Sequence, residues 1–368
     1  MNTAIQTTHS DASRIAPPPR IPLGATGPTP GSRFGDIMEH LANGSDLSPL
    51  QANLAFSLLM DGRLTPAQAG ALLLGLRAKG ESPAEVAEAV KVILDRAVPV
   101  DLPPFSRVID IVGTGGDKRN SFNCSTATAL MLAAMGHTVL KHGNRSISSR
   151  CGSADVLKQL GISIELPSNE VPLRLEQDGF AFLFAPRYHP SFQHVMPVRR
   201  ELGVRTLFNL IGPLVNPGRP GICFLGAPDE KSMRLLAGTL ARLGSRTGAV
   251  VCGAGGYDEL TTLGPAKIAF VSNSEVRYEE LNPADFGFSP CTPEELAISS
   301  PEEGASILLG LLGGKGPAPM RDMLALNVGF GLYLLQGQDM ARCMEEARRA
   351  LDSGIGIRYL NRIQTGCR

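Results

Sequence analysis

The chain has no excess of charge of either sign: 35 Lys and Arg balance 35 Asp and Glu among 368 residues. A neutral chain offers no general electrostatic surface for nucleic acid or an anionic membrane. No apolar run is long enough to cross a bilayer, and no signal peptide is visible at the amino end. The seven cysteines form no CxxC pair and no metal-ligand spacing. Scattered thiols of this kind point to a reduced, cytoplasmic setting. Internal repeats are not apparent. What the chain does have is 43% apolar residues, 19% charged residues and 41 glycines. That is enough for a sizeable core and two domains, and so much glycine favours a loop-rich α/β enzyme over a helical bundle.

In chain order, residues 1–33 are rich in Pro, Thr, Ser and Gly without apolar periodicity, and read as a disordered extension. They lack the arginine-rich amphipathic pattern of a targeting segment. Residues 34–100 read as a small all-helical domain of four short helices, with helix starts at Ser48, Thr65-Pro66 and Ser82-Pro83. Val98 to Pro104 is a stiff linker. Residues 105–368 alternate β-like and α-like segments, which predicts a larger α/β domain on a mainly parallel central sheet. Leu160–Leu166 reads as a helix end and strand, and further strands are expected at Phe180–Phe184, Phe224–Gly226, Gly248–Cys252, Lys267–Ser272 and Val276–Tyr278. Helices are expected at Phe192–Leu202, Asp229–Leu243, Pro301–Leu312, Met320–Gln336 and Met340–Asp352.

The stretch from Val108 to Leu157 organises the whole. Val108 to Val112 reads as a buried strand, and Gly113-Thr114-Gly115-Gly116-Asp117 follows at once. Three glycines in four positions let backbone N–H groups turn toward a ligand. No GK[ST] follows, and the loop does not match GxGxxG, so neither common nucleotide loop is present. A helix start at Asn123 to Thr128 comes next, then a strand at Thr138–Leu140, with Lys141-His142-Gly143-Asn144-Arg145 at its end. A glycine loop, a helix N-terminus and a cationic loop are thus delivered to one sheet edge, where open α/β sheets bind ligands. The forecast is a site for a phosphate-rich anion. Asn123, Ser125 and Thr126 suit phosphate or simple capping equally well, and Lys141 suits phosphate or a surface ion pair. Asp258 and Glu259 sit on a glycine-rich turn past a buried strand. Such acids are usually solvated, but next to an anionic ligand they suit magnesium.

GTGGD, FNCST, KHGNRSISS and GSADVL in that order closely resemble the anthranilate phosphoribosyltransferase family, and the likeness runs from about Phe34 to about Ile363. The resemblance implies a pentosyltransferase of tryptophan biosynthesis that moves phosphoribose from phosphoribosyl diphosphate to anthranilate. It implies diphosphate contacts at Gly113, Thr114, Gly115, Gly116, Asp117, Ser121, Asn123, Ser125, Thr126, Lys141 and Ser153. It implies an anthranilate pocket of Gly113, His142, Asn144, Arg199 and Pro213, with His189 ranked lower and Arg145 unassigned. Lys141 and Arg199 would be the catalytic cations. Magnesium, as two ions, would lie on Asp258, Glu259 and Ser125. A homodimer is implied, as is completion of the small domain by helices within about 190–215. Cys124 reads as core, not nucleophile. Cys252 and Tyr257 depart from the family's usual histidine and leucine, which puts the cleft wall in question. Two other readings are a pyrimidine nucleoside phosphorylase-like enzyme and a non-catalytic nucleic-acid-binding relative. The first fits the glycine and lysine motifs poorly, and the second does not suit a neutral chain with intact motifs.

Overall fold

The computed structural model describes residues 30–102, 107–115, 119, 121–145, 152–244 and 247–365. Residues 1–29 of the expected amino-terminal extension, with Gly116 and Asp117, therefore lie outside the described residues, while residues 30–33 are helical and open the first helix rather than belonging to a disordered extension.

The helical unit comes first, as α1 (Pro30–Ala42), α2 (Pro49–Met60), α3 (Pro66–Lys79) and α4 (Pro83–Asp95). Ser48, Thr65 and Ser82 each close a capping box with proline in the first turn, so three of these helices start where side-chain chemistry satisfies their free N–H groups. There follow β1 (Val108–Gly113), α5 (Cys124–Ala134), β2 (Thr138–Gly143), α6 (Ser153–Gln159), α7 (Val171–Asp178), β3 (Phe180–Phe184), α8 (Ala185–Tyr188) and α9 (Met196–Leu202). The chain continues with β4 (Ile222–Gly226), α10 (Glu230–Leu243), β5 (Thr247–Cys252), β6 (Ala266–Ser272) and β7 (Glu275–Leu281). It ends with α11 (Pro293–Leu296), α12 (Pro301–Leu312), α13 (Ala318–Gln336), α14 (Met340–Asp352) and α15 (Ile355–Thr365).

The seven strands form one sheet in the order β3-β2-β1-β4-β5-β6-β7. The first five run parallel, and β6 and β7 add an antiparallel hairpin at one edge. Period-two alternation sends successive side chains to opposite faces. Ile109, Ile111, Phe224 and Val251 join a large core with α5 and α13. Cys223, Leu225 and Val250 join a second core with α1–α4 and α10. Val195, Val198, Leu207, Phe208 and Leu214 pack into that second core too, so the segment around α9 lies against the amino-terminal helices.

Three further expectations need correction. Residues 162–167 form no strand; they run as coil, with Ile164 and Leu166 buried. The helix expected from Phe192 starts only at Met196. Pro190–His194 is a 3₁₀ turn, and Pro197 opens α9 because it has no N–H to contribute. Strand β2 does not stop at Leu140 but continues through Lys141 and His142 to Gly143, paired with β3.

A buried ion pair ties the helical unit together. Glu85, 1% exposed, accepts hydrogen bonds from the Leu47 and Ser82 amides and from Lys79 Nζ at 2.9 Å. Removing the carboxylate strands the two amides and leaves Lys79 with Asp46 as its carboxylate partner. Glu85→Ala is expected to lower stability by about 2 kcal/mol, read as a lower urea midpoint. An unchanged midpoint would contradict this role.

Candidate functional site

Strand order reverses at β1: β2 and β3 lie on one side of it and β4 on the other. That switch point is where an open α/β sheet leaves a crevice. Gly113 ends β1 beside Gly226, the end of β4. The turn after β5 folds back over both. A Cβ on Gly113 would lie 2.5 Å from Asp258 Oδ2, and a Cβ on Gly226 would run into the Asp258 backbone carbonyl. Only glycine permits that approach at either position.

The turn then grips two other elements. Asp258 Oδ2 accepts hydrogen bonds from the Gly115 amide at 2.8 Å and the Thr114 hydroxyl at 3.2 Å. Glu259 accepts the Ser125 amide at 2.9 Å, in the first turn of α5, and the Ser121 hydroxyl at 3.4 Å. One acid therefore sits on the glycine loop and its neighbour on a helix N-terminus, whose partial positive charge favours an anion. Gly115 takes a φ of +67°, which turns its N–H inward at little cost.

Lys141 is buried within β2, at 1% exposure, rather than in a loop beyond it. Its Nζ donates to the Ile111 carbonyl and lies 3.3 Å from Ser125 Oγ. Burial pulls its pKa down to about 8, while Asp110, Glu259 and Asp258 hold it up. Near neutral pH it is thus a cation kept charged by the surrounding carboxylates. Thr126 is fully buried, and its hydroxyl has no hydrogen-bond partner among the described residues. Asn123 occupies the N-cap position of α5, but its side chain makes no capping bond, so simple capping does not explain it. Ser153 opens α6 and donates to the carbonyl of exposed Asn144 at 3.3 Å.

Alternation along β2 points His142 away from Lys141. The His142 ring meets His189 edge-on at 5.2 Å, His189 stacks on Phe192 at 5.0 Å, and Phe192 meets Phe208 at 5.7 Å. Arg199 lies over Phe208 at 5.6 Å. A ladder of rings thus connects the end of β2 to Arg199. Arg199 is half-buried, with Met196 Sδ 3.5 Å from Nη1, and it forms no ion pair with a carboxylate among the described residues. Burial pulls its pKa below the ordinary value. A partly desolvated guanidinium without a carboxylate is suited to an anionic ligand. Pro213 is buried in the 3₁₀ turn Gly212–Leu214 that follows.

Cys124 is wholly buried. Burial and then the Glu259 carboxylate push its thiol well up, which removes it as a nucleophile. Tyr257 is 1% exposed within the large core, under the Arg119 guanidinium at 5.7 Å, so its side chain does not form an open cleft wall. Cys252 is half-buried, and burial and then Asp229 push its thiol up.

Sequence reasoning missed Asp110 and Asn216. Asp110 is buried in β1 and accepts hydrogen bonds from the His142 amide at 3.3 Å and Asn216 Nδ2 at 2.9 Å. Asn216 also donates to the Leu140 carbonyl at 2.8 Å. The signal was available as an acid inside an apolar strand run.

The donor set near the acids suits magnesium. Two adjacent carboxylates and the Ser125 hydroxyl are hard oxygen ligands beside the glycine loop and the start of α5. No group of three or more His, Cys, Asp or Glu side chains comes together as a metal cage among the described residues.

His189 carries a pH prediction. Its ring is 1% exposed and neither nitrogen has a partner at hydrogen-bond geometry among the described residues. Burial pulls its pKa from 6.5 to about 4, and the Val215 backbone offsets this only in part. The unfolded chain therefore takes up this proton first as pH falls, and stability is lost between about pH 6.5 and 4. The loss is expected to be on the order of 2–3 kcal/mol, and His189→Phe should remove it. Identical pH dependence of unfolding in the two proteins would contradict this.

Comparison with known proteins agrees with this architecture. A model of the glycosyl transferase family helical bundle domain matches residues 35–97, and one of the same family's a/b domain matches residues 106–357. The anthranilate phosphoribosyltransferase of Nitratidesulfovibrio vulgaris is 54% identical over 334 residues, 88% of this chain and 98% of that protein. That of Oleidesulfovibrio alaskensis is 50% identical, covering 89% of this chain and 98% of that protein. The crystal structure of the Thermus thermophilus enzyme superposes with a TM-score of 0.83 at 38% identity, covering 90% of this chain and 98% of that one. The Saccharomyces cerevisiae enzyme in complex with PRPP and Mg superposes with a TM-score of 0.82 at 27% identity, covering 91% and 97%. On sequence and fold together, the chain belongs to the anthranilate phosphoribosyltransferase family.

Proposed function

We propose that the switch-point crevice holds phosphoribosyl diphosphate and the ring ladder ending at Arg199 holds anthranilate, so that phosphoribose passes to the anthranilate amine with release of diphosphate. The observation that carries this reading is the double grip of Asp258 on the glycine loop and Glu259 on the start of α5. It gathers amide donors, hydroxyls, a buried lysine and two acids around one anion-sized space.

The residues divide the work. The glycine loop, Gly113 to Gly115 with Gly116 and Asp117 by family likeness, lets the backbone approach the diphosphate, and the Gly115 N–H passes to it as Asp258 turns to the cation. The hydroxyls of Thr114, Ser121, Ser125, Thr126 and Ser153 and the Asn123 amide donate to phosphate oxygens. Lys141 places a positive charge where the departing diphosphate gains negative charge, so the ribose anomeric carbon acquires oxocarbenium character. Asp258, Glu259 and Ser125 would hold magnesium, as two ions, and the metal supplies charge neutralisation of the diphosphate. Arg199 pairs with the anthranilate carboxylate, while His142, Asn144 and Pro213 border its ring. The anthranilate amine is neutral at pH 7 and attacks from the face opposite the leaving group, with inversion. Positioning and exclusion of water provide much of the acceleration, and no strong base is needed.

The helical unit, residues 34–100 with the α9 segment packed on it, is proposed as the smaller domain and residues 105–368 as the larger. A homodimer is proposed from the family likeness, and exposed apolar Leu50 and Leu74 on the helical unit are available for such contact. A cytoplasmic setting is proposed from the scattered cysteines without CxxC or metal-ligand spacing; no helix among the described residues is long and apolar enough to cross a membrane.

The test is loss of anthranilate fluorescence. It should require both phosphoribosyl diphosphate and magnesium, and loss without either would overturn the reading. Lys141→Ala is expected to lower kcat by roughly a hundredfold or more. Arg199→Ala should raise the KM for anthranilate by about tenfold or more while leaving that for phosphoribosyl diphosphate within about twofold. Equal effects on both KM values would refute the assignment of Arg199.

A further inference from the structure

Helix α13 carries a polar side chain in the middle of its apolar face. Asn327 is 3% exposed and every group around it on the helix is core: Leu324, Leu326 and Val328 are fully buried. An unsatisfied amide there would be costly. Asn327 is well satisfied, and two of its three bonds reach a residue 67 positions away in sequence. Oδ1 accepts the Leu260 amide at 3.1 Å, while Nδ2 donates to the Leu260 carbonyl at 2.7 Å and to the Met323 carbonyl at 2.8 Å. Its amide thus holds both backbone groups of a single residue, much as a neighbouring strand would. Leu260 is the residue after Glu259, and it is itself fully buried.

The consequence follows from where α13 sits. The same helix packs along α5, where a Cβ on Gly331 would lie 2.7 Å from Leu132 Cδ1. Its Phe330 meets Phe224 of β4 at 5.0 Å. One rigid helix therefore supports the N-terminal element that carries Ser125, the strand that ends at Gly226, and the turn that carries the two acids. The glycine contacts limit how close the turn can come, and Asn327 fixes the Leu260 backbone, next to Glu259, from the core side with directional bonds.

We propose that Asn327 is a positioning residue for the Asp258–Glu259 pair, setting its affinity for a divalent cation bound with a diphosphate. This rests on the reading of those acids given above. Asn327 touches neither substrate nor metal and acts through the Leu260 backbone. Without it the Leu260 amide and carbonyl lose their partners, and the acids lose their fixed register against Gly115 and Ser125.

The test uses full-length protein, with inorganic diphosphate and Mg2+ as the probe and calorimetry as a readout that needs no turnover. Asn327→Asp keeps an acceptor for the Leu260 amide but loses both donated bonds, and Asn327→Leu loses all three. Each is expected to weaken magnesium-dependent diphosphate binding at least fivefold, while the KM for anthranilate changes less than twofold. Val328→Ala, which thins the same core without touching Leu260, should leave that binding within twofold of the parent. Hydrogen exchange in the unmodified protein gives a measurement independent of whether the variants fold. The Leu260 amide should be among the slowly exchanging core amides, and faster by at least tenfold in Asn327→Asp. Rapid exchange of Leu260 in the parent, or variant binding within twofold of it, would overturn the proposal. If Asp258→Asn binds as tightly as the parent, the metal assignment itself fails instead, which separates the two claims.

Discussion

Asp258 and Glu259 are neighbours on one turn, and each accepts a backbone N–H from a different element at the carboxyl edge of the sheet. Everything else in the site depends on that double contact. Without it the glycine loop after β1 and the start of α5 would be two separate anion-binding features. With it they face one space, and the buried Lys141 cation enters that space from below. The two acids also compensate the lysine electrostatically, since burial alone favours its neutral form.

The fold makes this contact possible by bringing two glycines to the ends of adjacent parallel strands. Gly113 and Gly226 lie side by side at the switch point, and the acid turn rests on both. Strand β2 then presents different side chains to its two faces through its alternation. Lys141 looks toward α5 and the anion, and His142 toward the ring ladder. A single strand thus places a buried cation and a ring-ladder residue on consecutive positions. The distance between the two half-sites is set by backbone geometry and not by flexible loops.

Much of this was legible in the sequence, for identifiable reasons. The capping boxes at Ser48, Thr65 and Ser82 are local chemistry, so the three helices they open could be read where they occur. The GTGGD and Asp258-Glu259 motifs carry their chemistry in residue type and order. Other features depend on tertiary context. Residues 162–167 have the composition of a strand but find no partner in the sheet and remain coil. Strand β2 continues through a lysine and a histidine because β3 pairs with it and α5 covers the lysine. Asn327 is an ordinary polar residue in the sequence. Its role exists only because Leu260, 67 residues away, is folded against it.

The central claim is that the acid turn couples cation and anion binding in one crevice. Titration of the protein with inorganic diphosphate, with and without magnesium, tests it most directly. The account predicts tight binding that requires magnesium and is lost in Glu259→Gln. Diphosphate binding of equal strength without magnesium, or unchanged in that variant, would contradict it.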